Sequence, residues 1–296
     1  MGAEDPGWRR ALARQLTARS RAPTREILDV PLSFGGTTRR VGITGPPGAG
    51  KSSLIALLAK EWLAASRRVG VLAIDPTSPL SGGALLGDRI RMDGVAQDVN
   101  LFIRSVSSGS RHDGLCPNIA SLLDAFEEAA FDDLVLETVG VGQVSYAART
   151  LVDTFVLVLV PESGDTVQAM KAGIQELADI YVVNKADRET SLKLETELRA
   201  MAGWRGRQGA WEPPVILTST PENRGAAELV AAIESHRRTA LDTARRRALS
   251  EARREHHLRA VLQQRVEEIL EAQAETLRGV PTAEGLRRVI EALKKE

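Results

Sequence analysis

The chain has 296 residues, and its 39 lysines and arginines balance its 39 aspartates and glutamates. This even charge gives no reason to expect nucleic acid or an anionic membrane as a partner, and a single cysteine excludes an internal disulfide framework. No apolar run approaches the roughly 18 residues of a membrane span, and the N-terminus lacks the apolar middle region of a secretory signal, so we expect a soluble, cytoplasmic protein.

The first segment, residues 1–38, is predicted to be a short helical extension. Trp8 to Leu16 has the spacing of an amphipathic helix, and prolines then break the chain before the first strand. We expect this extension to precede a nucleotide-binding domain over residues 39–235. A helical C-terminal arm is predicted over residues 236–296, where no strand candidate remains.

A phosphate-binding loop follows the first predicted strand. The predicted strand Arg39 to Thr44, with its apolar run Val41 to Thr44, leads into the pattern G-x-x-x-x-G-K-S, and an apolar helix follows it. The glycines let backbone N–H groups converge on phosphates, and the positive end of the helix dipole adds to the attraction. Lys51 is expected to reach the β- and γ-phosphates, and the Ser52 hydroxyl to bind Mg²⁺. The candidate nucleotide-binding residues of this loop are Gly45, Pro46, Pro47, Gly48, Ala49, Gly50, Lys51, Ser52 and Ser53.

Further apolar runs predict the other strands of a sheet. Val69 to Asp75 and Asp133 to Glu137 each carry a carboxylate to the edge where ligands bind in open α/β folds. Because strands alternate with helices, we predict an α/β fold of the P-loop NTPase type, with a mostly parallel, doubly wound sheet flanked by helices. The remaining strand candidates are Leu101–Arg104, Thr154–Val160, Ile180–Val183 and Pro214–Leu217.

The segment after the strand Ile180–Val183 indicates which nucleotide is bound. Asn184-Lys185-Ala186-Asp187 has the form N-K-x-D. The Asp187 carboxylate can accept both guanine N1–H and the 2-amino group, which adenine does not offer. Asn184 is expected to hold the guanine edge and the loop, and the Lys185 stem to lie along the base. Ser219 and Thr220, after the next strand, are expected to support the base, so the pattern favours GTP over ATP.

The hydrolytic part of the site is predicted at Glu137-Thr138-Val139-Gly140. P-loop enzymes place an acid near Mg²⁺ and a glycine near the γ-phosphate here, which assigns Glu137 and Gly140 to those positions. Gln143 is displaced three residues from the glycine, so the usual water-orienting glutamine is not in its place. We therefore expect slow intrinsic hydrolysis, accelerated by a cation when a partner binds.

The C-terminal arm carries an apolar stripe that must be covered. Its members are spaced by three and four residues along a predicted helix. Such a stripe is buried on the domain, on a second copy of the chain or on another protein. The stripe consists of Leu258, Leu262, Val266, Ile269 and Leu270.

Several motifs together resemble one family. They are Gly45–Ser52, Asp75–Pro79 with Ser81–Gly83 and Gly87–Met92, Glu137–Gln143, Gly164–Asp165 with Gln168 and Lys171–Gly173, and Asn184–Asp187. This combination resembles the MeaB-like GTPases, also called ArgK or methylmalonic aciduria type A proteins, and it covers about residues 40–235. Members of this family act as chaperones of adenosylcobalamin-dependent acyl-CoA mutases.

The resemblance implies roles for residues that spacing alone does not assign. Asp75, Asp88 and Glu137 look like the carboxylates around Mg²⁺ and the first two switches. Asp165, Gln168 and Lys171 look like an extra switch, with Lys171 as the cation that completes the catalytic site. The resemblance further implies a homodimer through the C-terminal helices. It also implies a Mg²⁺-dependent GTPase, cycling between GTP and GDP, that acts as a chaperone in adenosylcobalamin loading, protection and reactivation of the mutase.

Three alternative functions remain open at this stage. One is a metal-insertion GTPase of the nickel-enzyme maturation type, which His112 and Cys116 invite but which the absence of a second cysteine disfavours. Another is a transport-associated ATPase or kinase, as one of the family names suggests. A scaffold without catalysis is a third reading, which measurable turnover would exclude.

Overall fold

Seven parallel strands form one sheet in the computed structural model, which confirms the predicted α/β fold. The structure describes residues 7–28, 32, 34, 36–75, 95, 97–108, 115–116, 118–138, 143–161, 173–206 and 211–294. The strands are β1 (Arg39–Thr44), β2 (Val69–Asp75), β3 (Leu101–Ser107), β4 (Asp133–Glu137), β5 (Thr154–Leu159), β6 (Ile180–Val183) and β7 (Val215–Leu217). Within the described ranges, no helix is long and apolar enough to cross a membrane.

The strand order, β3-β2-β4-β1-β5-β6-β7, fixes where a ligand can bind. The first strand lies in the middle of the sheet between β4 and β5, so the chain moves outward in opposite directions from it. In an open parallel sheet such a reversal leaves a crevice beyond the carboxyl ends of the strands. Because all pairs are parallel, the segments that follow β1, β2, β4, β6 and β7 emerge at this one edge.

Helices cover both faces of the sheet. Helices α3 and α7 pack on one face around the buried Trp62, and α1, α4 and α5 pack on the other around Phe126. A third apolar cluster joins α6 to the strands β5–β7. The helices are α1 (Gly7–Arg21), α2 (Thr24–Leu28), α3 (Lys51–Ala64), α4 (Ile119–Glu128), α5 (Gln143–Leu151), α6 (Ser191–Gly206), α7 (Ala226–Thr239), α8 (Thr243–Ala272), α9 (Ala274–Leu277) and α10 (Thr282–Lys294).

The C-terminal arm is fastened to the rest of the chain by buried polar contacts. Arg253 on α8 is only 5% exposed, and its guanidinium donates to Asp153 Oδ1 at 2.7 Å, next to the start of β5. Farther along α8, the Glu268 carboxylate accepts hydrogen bonds from Thr24 Oγ1 at 2.8 Å and from the Thr24 N–H at 3.2 Å. We call the Thr24–Glu268 contact the terminal clasp. It ties the arm to α2, near the other end of the chain.

The apolar stripe of the arm is buried at one position and exposed at others. Ile269 is 5% exposed, because α10 folds back against the end of α8 and buries Val289 there as well. In contrast, Leu258 and Leu262 on α8 remain 55% and 50% exposed. The other exposed apolar side chains of the arm are Leu270, Leu286 and Ile290. The arm therefore buries part of the stripe on its own chain and leaves the rest at the surface.

Candidate functional site

The phosphate-binding loop follows β1 and passes very close to β5. Gly45 has a φ of 155°, and a Cβ atom there would lie 2.1 Å from the carbonyl oxygen of Val158. Gly50, the N-cap of α3, has a φ of 84°, and a Cβ atom there would lie 2.4 Å from Asn184 Nδ2. Both positions therefore require glycine, since a side chain would displace the backbone of β5 at Gly45 and the Asn184 carboxamide at Gly50.

The loop brings the Lys51 ammonium group and the N-terminus of α3 close together. Lys51 is the first residue of α3, and its Nζ donates to the carbonyl oxygens of Gly45 at 2.9 Å and Pro46 at 3.3 Å. The N-cap residue Gly50 supplies no side-chain cap, so the first turn presents its backbone N–H groups outward. Ser53, in the same turn, is half-buried. A charged amine and a helix N-terminus are together suited to phosphate oxygens.

Three oxygen donors converge beside this loop. The Ser52 hydroxyl donates to Glu137 Oε1 at 2.9 Å, and both residues are buried. Glu137 ends β4 opposite Ala73 of β2, so Asp75 lies two residues farther along the neighbouring strand and is also buried. A hydroxyl and two carboxylates are the hard oxygen ligands that Mg²⁺ prefers, so these residues fit that ion.

Thr138 is a residue that the sequence reasoning passed over. It follows Glu137 and is 1% exposed, with its backbone N–H donating to the Ile43 carbonyl oxygen at 3.1 Å. Its Oγ1 atom is buried and makes no hydrogen bond within the described part of the chain. A buried hydroxyl without a partner is costly unless a ligand satisfies it. Its only signal in the sequence is its position beside the strand-ending acid.

The segment after β6 is tied directly to the phosphate-binding loop. Asn184 Nδ2 donates to the Ala49 carbonyl oxygen at 2.7 Å, and Asn184 Oδ1 accepts from Thr218 Oγ1 at 3.0 Å. Lys185 has a φ of 58°, and its Nζ donates to the Gly48 carbonyl oxygen at 2.9 Å. The Asn184 carboxamide thus joins the two loops and the end of β7. Its expected contact with a guanine edge stays a prediction.

Asp187 lies exposed at the open side of this pair of loops. Ser219 is fully buried, and its hydroxyl donates to Asp187 Oδ1 at 3.0 Å. A hydrogen bond from its own backbone N–H and the one from Ser219 hold the pKa of the Asp187 carboxyl below its ordinary value. The carboxylate is therefore a pure acceptor at neutral pH. Thr220 Oγ1, two residues beyond Thr218, is buried and makes no hydrogen bond within the described ranges.

Five of the predicted site residues lie outside the described residues. They are Asp88, Gly140, Asp165, Gln168 and Lys171. The others meet at the carboxyl edge of the sheet, from the loops after β1, β2, β4, β6 and β7.

The single cysteine lies near two histidines that are far from it in the sequence. Cys116 is 3% exposed and lines a small cavity with His256 and His257 of α8. Spacing along the chain gave no reason to connect them, because the contact depends on how the arm folds back. Even so, no three His, Cys, Asp or Glu side chains among the described residues are placed to hold a metal ion.

Comparisons with known proteins show which family the chain resembles. A family model described as methylmalonyl Co-A mutase-associated GTPase MeaB matches residues 10–275. A putative GTPase of Pyrococcus abyssi is 44% identical over 236 residues, which span 78% of this chain and 73% of the relative. The mitochondrial methylmalonic aciduria type A homolog of Mus musculus is 38% identical over 203 residues, 67% of this chain and 48% of the relative. The crystal structure of an LAO/AO transport system kinase superposes with a TM-score of 0.65 and 26% identity, covering 97% of this chain and 93% of that one.

Proposed function

The chain belongs to the family of methylmalonyl-CoA mutase-associated GTPases, and from this membership we propose that it is a GTP-dependent chaperone of an adenosylcobalamin-dependent acyl-CoA mutase. It is a GTP hydrolase that binds guanine nucleotide. The finer role is to gate loading of adenosylcobalamin into the mutase and to protect and reactivate the enzyme. GTP would hold the switch segments, and hydrolysis would release them.

The observation that supports the nucleotide assignment most directly is a pair of hydrogen bonds between the loop after β6 and the phosphate-binding loop. Lys185 and Asn184 bond to the carbonyl oxygens of Gly48 and Ala49, so the proposed base pocket and the proposed phosphate pocket are held at a fixed separation. A ligand that fills both pockets binds without further ordering of either loop. In this proposal Asp187, Ser219 and Thr220 face the guanine, and Lys51 with the first turn of α3 faces the phosphates.

Mg²⁺ would be held by the oxygen donors Ser52, Asp75 and Glu137, together with Asp88. When bound, the ion neutralises charge that develops on the β- and γ-phosphate oxygens. Water attacks the γ-phosphorus and the bond to the bridging oxygen breaks, giving GDP and phosphate. Lys51 would stabilise the negative charge of the transferred group, and the Thr138 hydroxyl, buried without a hydrogen bond among the described residues, would donate to the same group or to the attacking water.

The activating group for hydrolysis is proposed to be Lys171. No glutamine stands directly after Gly140, and Gln143 begins α5 instead. Without a group that orients water, turnover is slow, and a cation brought in by a partner is the simplest means of stabilising the transition state. Lys171 belongs to the proposed extra switch with Asp165 and Gln168, and this switch would respond to the bound mutase.

Steady-state GTP hydrolysis with Mg²⁺ tests the chaperone role. We expect slow turnover alone and at least about tenfold faster turnover with a purified adenosylcobalamin-dependent acyl-CoA mutase, equivalent to about 1.4 kcal/mol of barrier. Lys171→Ala should lose most of this stimulation, whereas Lys193→Ala, an exposed lysine on α6, should keep it. ATP serves as the nucleotide control. Absence of stimulation by any such mutase contradicts the chaperone role, and a stimulated Lys171→Ala variant contradicts only the role of that lysine.

A homodimer through the C-terminal arm is the second part of the proposal. The two packed helices of the arm expose apolar side chains. These are Leu258 and Leu262 on α8 and Leu286 and Ile290 on α10. Exposed apolar side chains grouped on two packed helices indicate a surface that a partner covers. A second copy of the arm offers the same residues and can bury them symmetrically.

Sedimentation at several concentrations tests the dimer. We expect the wild-type chain to sediment as a dimer and Leu258→Glu/Leu262→Glu to shift toward a monomer, because each buried carboxylate would lack a partner. Leu192→Glu, at a 64% exposed leucine on α6, should leave the dimer unchanged. A wild-type monomer at all concentrations, or a double variant that still dimerises, rules out this interface.

A further inference from the structure

An arginine groove lies at the edge of the sheet opposite the candidate nucleotide site. It has a volume of about 460 Å³ and is lined by Arg39, Arg237, Arg238, Arg246, Glu234 and Leu241. Arg39 begins β1, whereas the phosphate-binding loop follows the end of that strand, so the two sites lie about 17 Å apart along it. The groove brings together the last turn of α7, the first turn of α8 and the sheet edge between them.

The groove carries an excess of positive charge. Its lining contains four arginines and one glutamate, which leaves three positive charges. The glutamate, Glu234, is already engaged, since its Oε1 lies 3.1 Å from Arg67 Nη1 and 3.7 Å from Arg39 Nη1. Arg39 also contacts the buried Asp133 at 2.9 Å. Within the described residues, no ion pair joins a carboxylate to Arg237, Arg238 or Arg246, the three arginines that remain. Asp133 and Asp153 line a neighbouring cavity beside Arg237, where they pair with Arg39 and Arg253.

Part of this charge is held in place rather than free to spread apart. Arg246 Nε donates to the Leu241 carbonyl oxygen at 2.9 Å, and its Nη2 donates to the Arg237 carbonyl oxygen at 3.4 Å. Burial lowers the pKa of Arg237 and the nearby charges of Arg39 and Arg246 lower it further, whereas the carboxylates of Asp153 and Asp133 oppose this shift. Like charges held together in this way repel one another, and a bound anion would relieve the repulsion.

We infer that the arginine groove binds the di- or triphosphate group of a nucleotide, a coenzyme or an inorganic oligophosphate. Three guanidinium groups without carboxylate partners match the charge of an oligophosphate better than that of a single carboxylate. Guanidinium forks bond phosphate oxygens in pairs, and the groove volume lies within the range of small-molecule sites. Because the groove is at the opposite edge of the sheet, its ligand binds independently of the guanine nucleotide proposed above.

Calorimetric titration of the full chain with inorganic tripolyphosphate tests the inference. Excess Mg²⁺ and saturating GDP are present so that the proposed guanine-nucleotide site is already filled. We expect binding that Arg237→Gln/Arg246→Gln weakens at least tenfold and that Arg238→Gln weakens in the same direction. Arg247→Gln, at an exposed arginine that faces Glu251 on the same helix, should change affinity less than twofold. Thermal melts establish that each variant is folded. ADP and coenzyme A, titrated in parallel, distinguish a nucleotide or a coenzyme from an inorganic ligand by which of them competes with tripolyphosphate.

Two results would overturn the inference. One is the absence of tripolyphosphate binding to the wild-type chain, and the other is equal affinity in the folded double variant. If the wild-type chain binds none of the three phosphate compounds and the double variant loses stimulation by the mutase, the groove is instead a contact for an acidic protein surface.

Discussion

Replacing Lys51 by alanine is expected to lower kcat/KM for GTP by at least about 100-fold, or about 2.7 kcal/mol of transition-state stabilisation. The Nζ atom lies inside the phosphate-binding loop, bonded to the carbonyl oxygens of Gly45 and Pro46, at the N-terminus of α3. Phosphate oxygens gain negative charge as the γ-phosphoryl group leaves, so a fixed cation there stabilises the transition state more than the ground state.

The matched control is Lys60→Ala, which removes an exposed lysine from the same helix. We expect its kinetics to stay within about twofold of wild type, since a surface charge this far from the loop is screened. Thermal melts without nucleotide should place both variants close to wild type. A folded Lys51→Ala variant with nearly normal turnover would show that phosphate is bound elsewhere.

Replacing Asp187 by asparagine is expected to weaken GTP binding by about 100-fold and to improve binding of xanthosine triphosphate. The carboxylate can accept from guanine N1–H and from the 2-amino group, and each charged hydrogen bond contributes about 1.5–3 kcal/mol. Xanthine carries a carbonyl oxygen in place of the amino group, so the asparagine amide can donate to it. Competition binding with fluorescent nucleotides measures both changes.

The gain for one nucleotide separates a change of specificity from damage to the fold. Glu189→Gln, which alters an exposed carboxyl two residues away, should leave both affinities unchanged. The low pKa of the Asp187 carboxyl adds a further expectation, because GTP binding through it should persist as the pH falls through the ordinary range of aspartate. If Asp187→Asn binds GTP as well as wild type does, guanine is not recognised by this residue.

The strands were the most predictable part of the fold. The bounds predicted for β1, β2, β4 and β6 are those observed, because short apolar runs ending in Gly, Asp, Glu or Asn leave little choice for buried parallel strands. Helices were harder to predict. The helix α6 was not predicted, since exposed Leu192 and Trp204 blur the four-residue spacing of its buried side. Over Ile174–Leu177 the chain forms a short 3₁₀ helix, whose four residues are too few for a helical spacing to be recognised in the sequence.

Those parts of the candidate site that depend on local motifs could be predicted from the sequence, whereas contacts between distant segments could not. Both loops were visible because each has its own pattern, but the bonds from Asn184 and Lys185 to the phosphate-binding loop depend on strand order. The shared cavity of Cys116 and His256, and the cluster of arginines around Leu241, needed the tertiary fold for the same reason. The exposed part of the apolar stripe could not be told from the buried part, since α10 covers only one end of α8.

The terminal clasp has a consequence for how the chain is made. Thr24 and its partner Glu268 are separated by 244 positions, so the ribosome completes the whole sheet before the second of them is translated. At about 5–20 residues per second, the interval is about 12–50 s. During that time α2 lacks its partner on α8, whereas the last of the seven strands is translated 51 residues before Glu268, at Leu217. A nascent chain is therefore expected to complete the strands around its nucleotide pocket before the terminal clasp forms, and to be open to proteases near α2 until Glu268 has been translated.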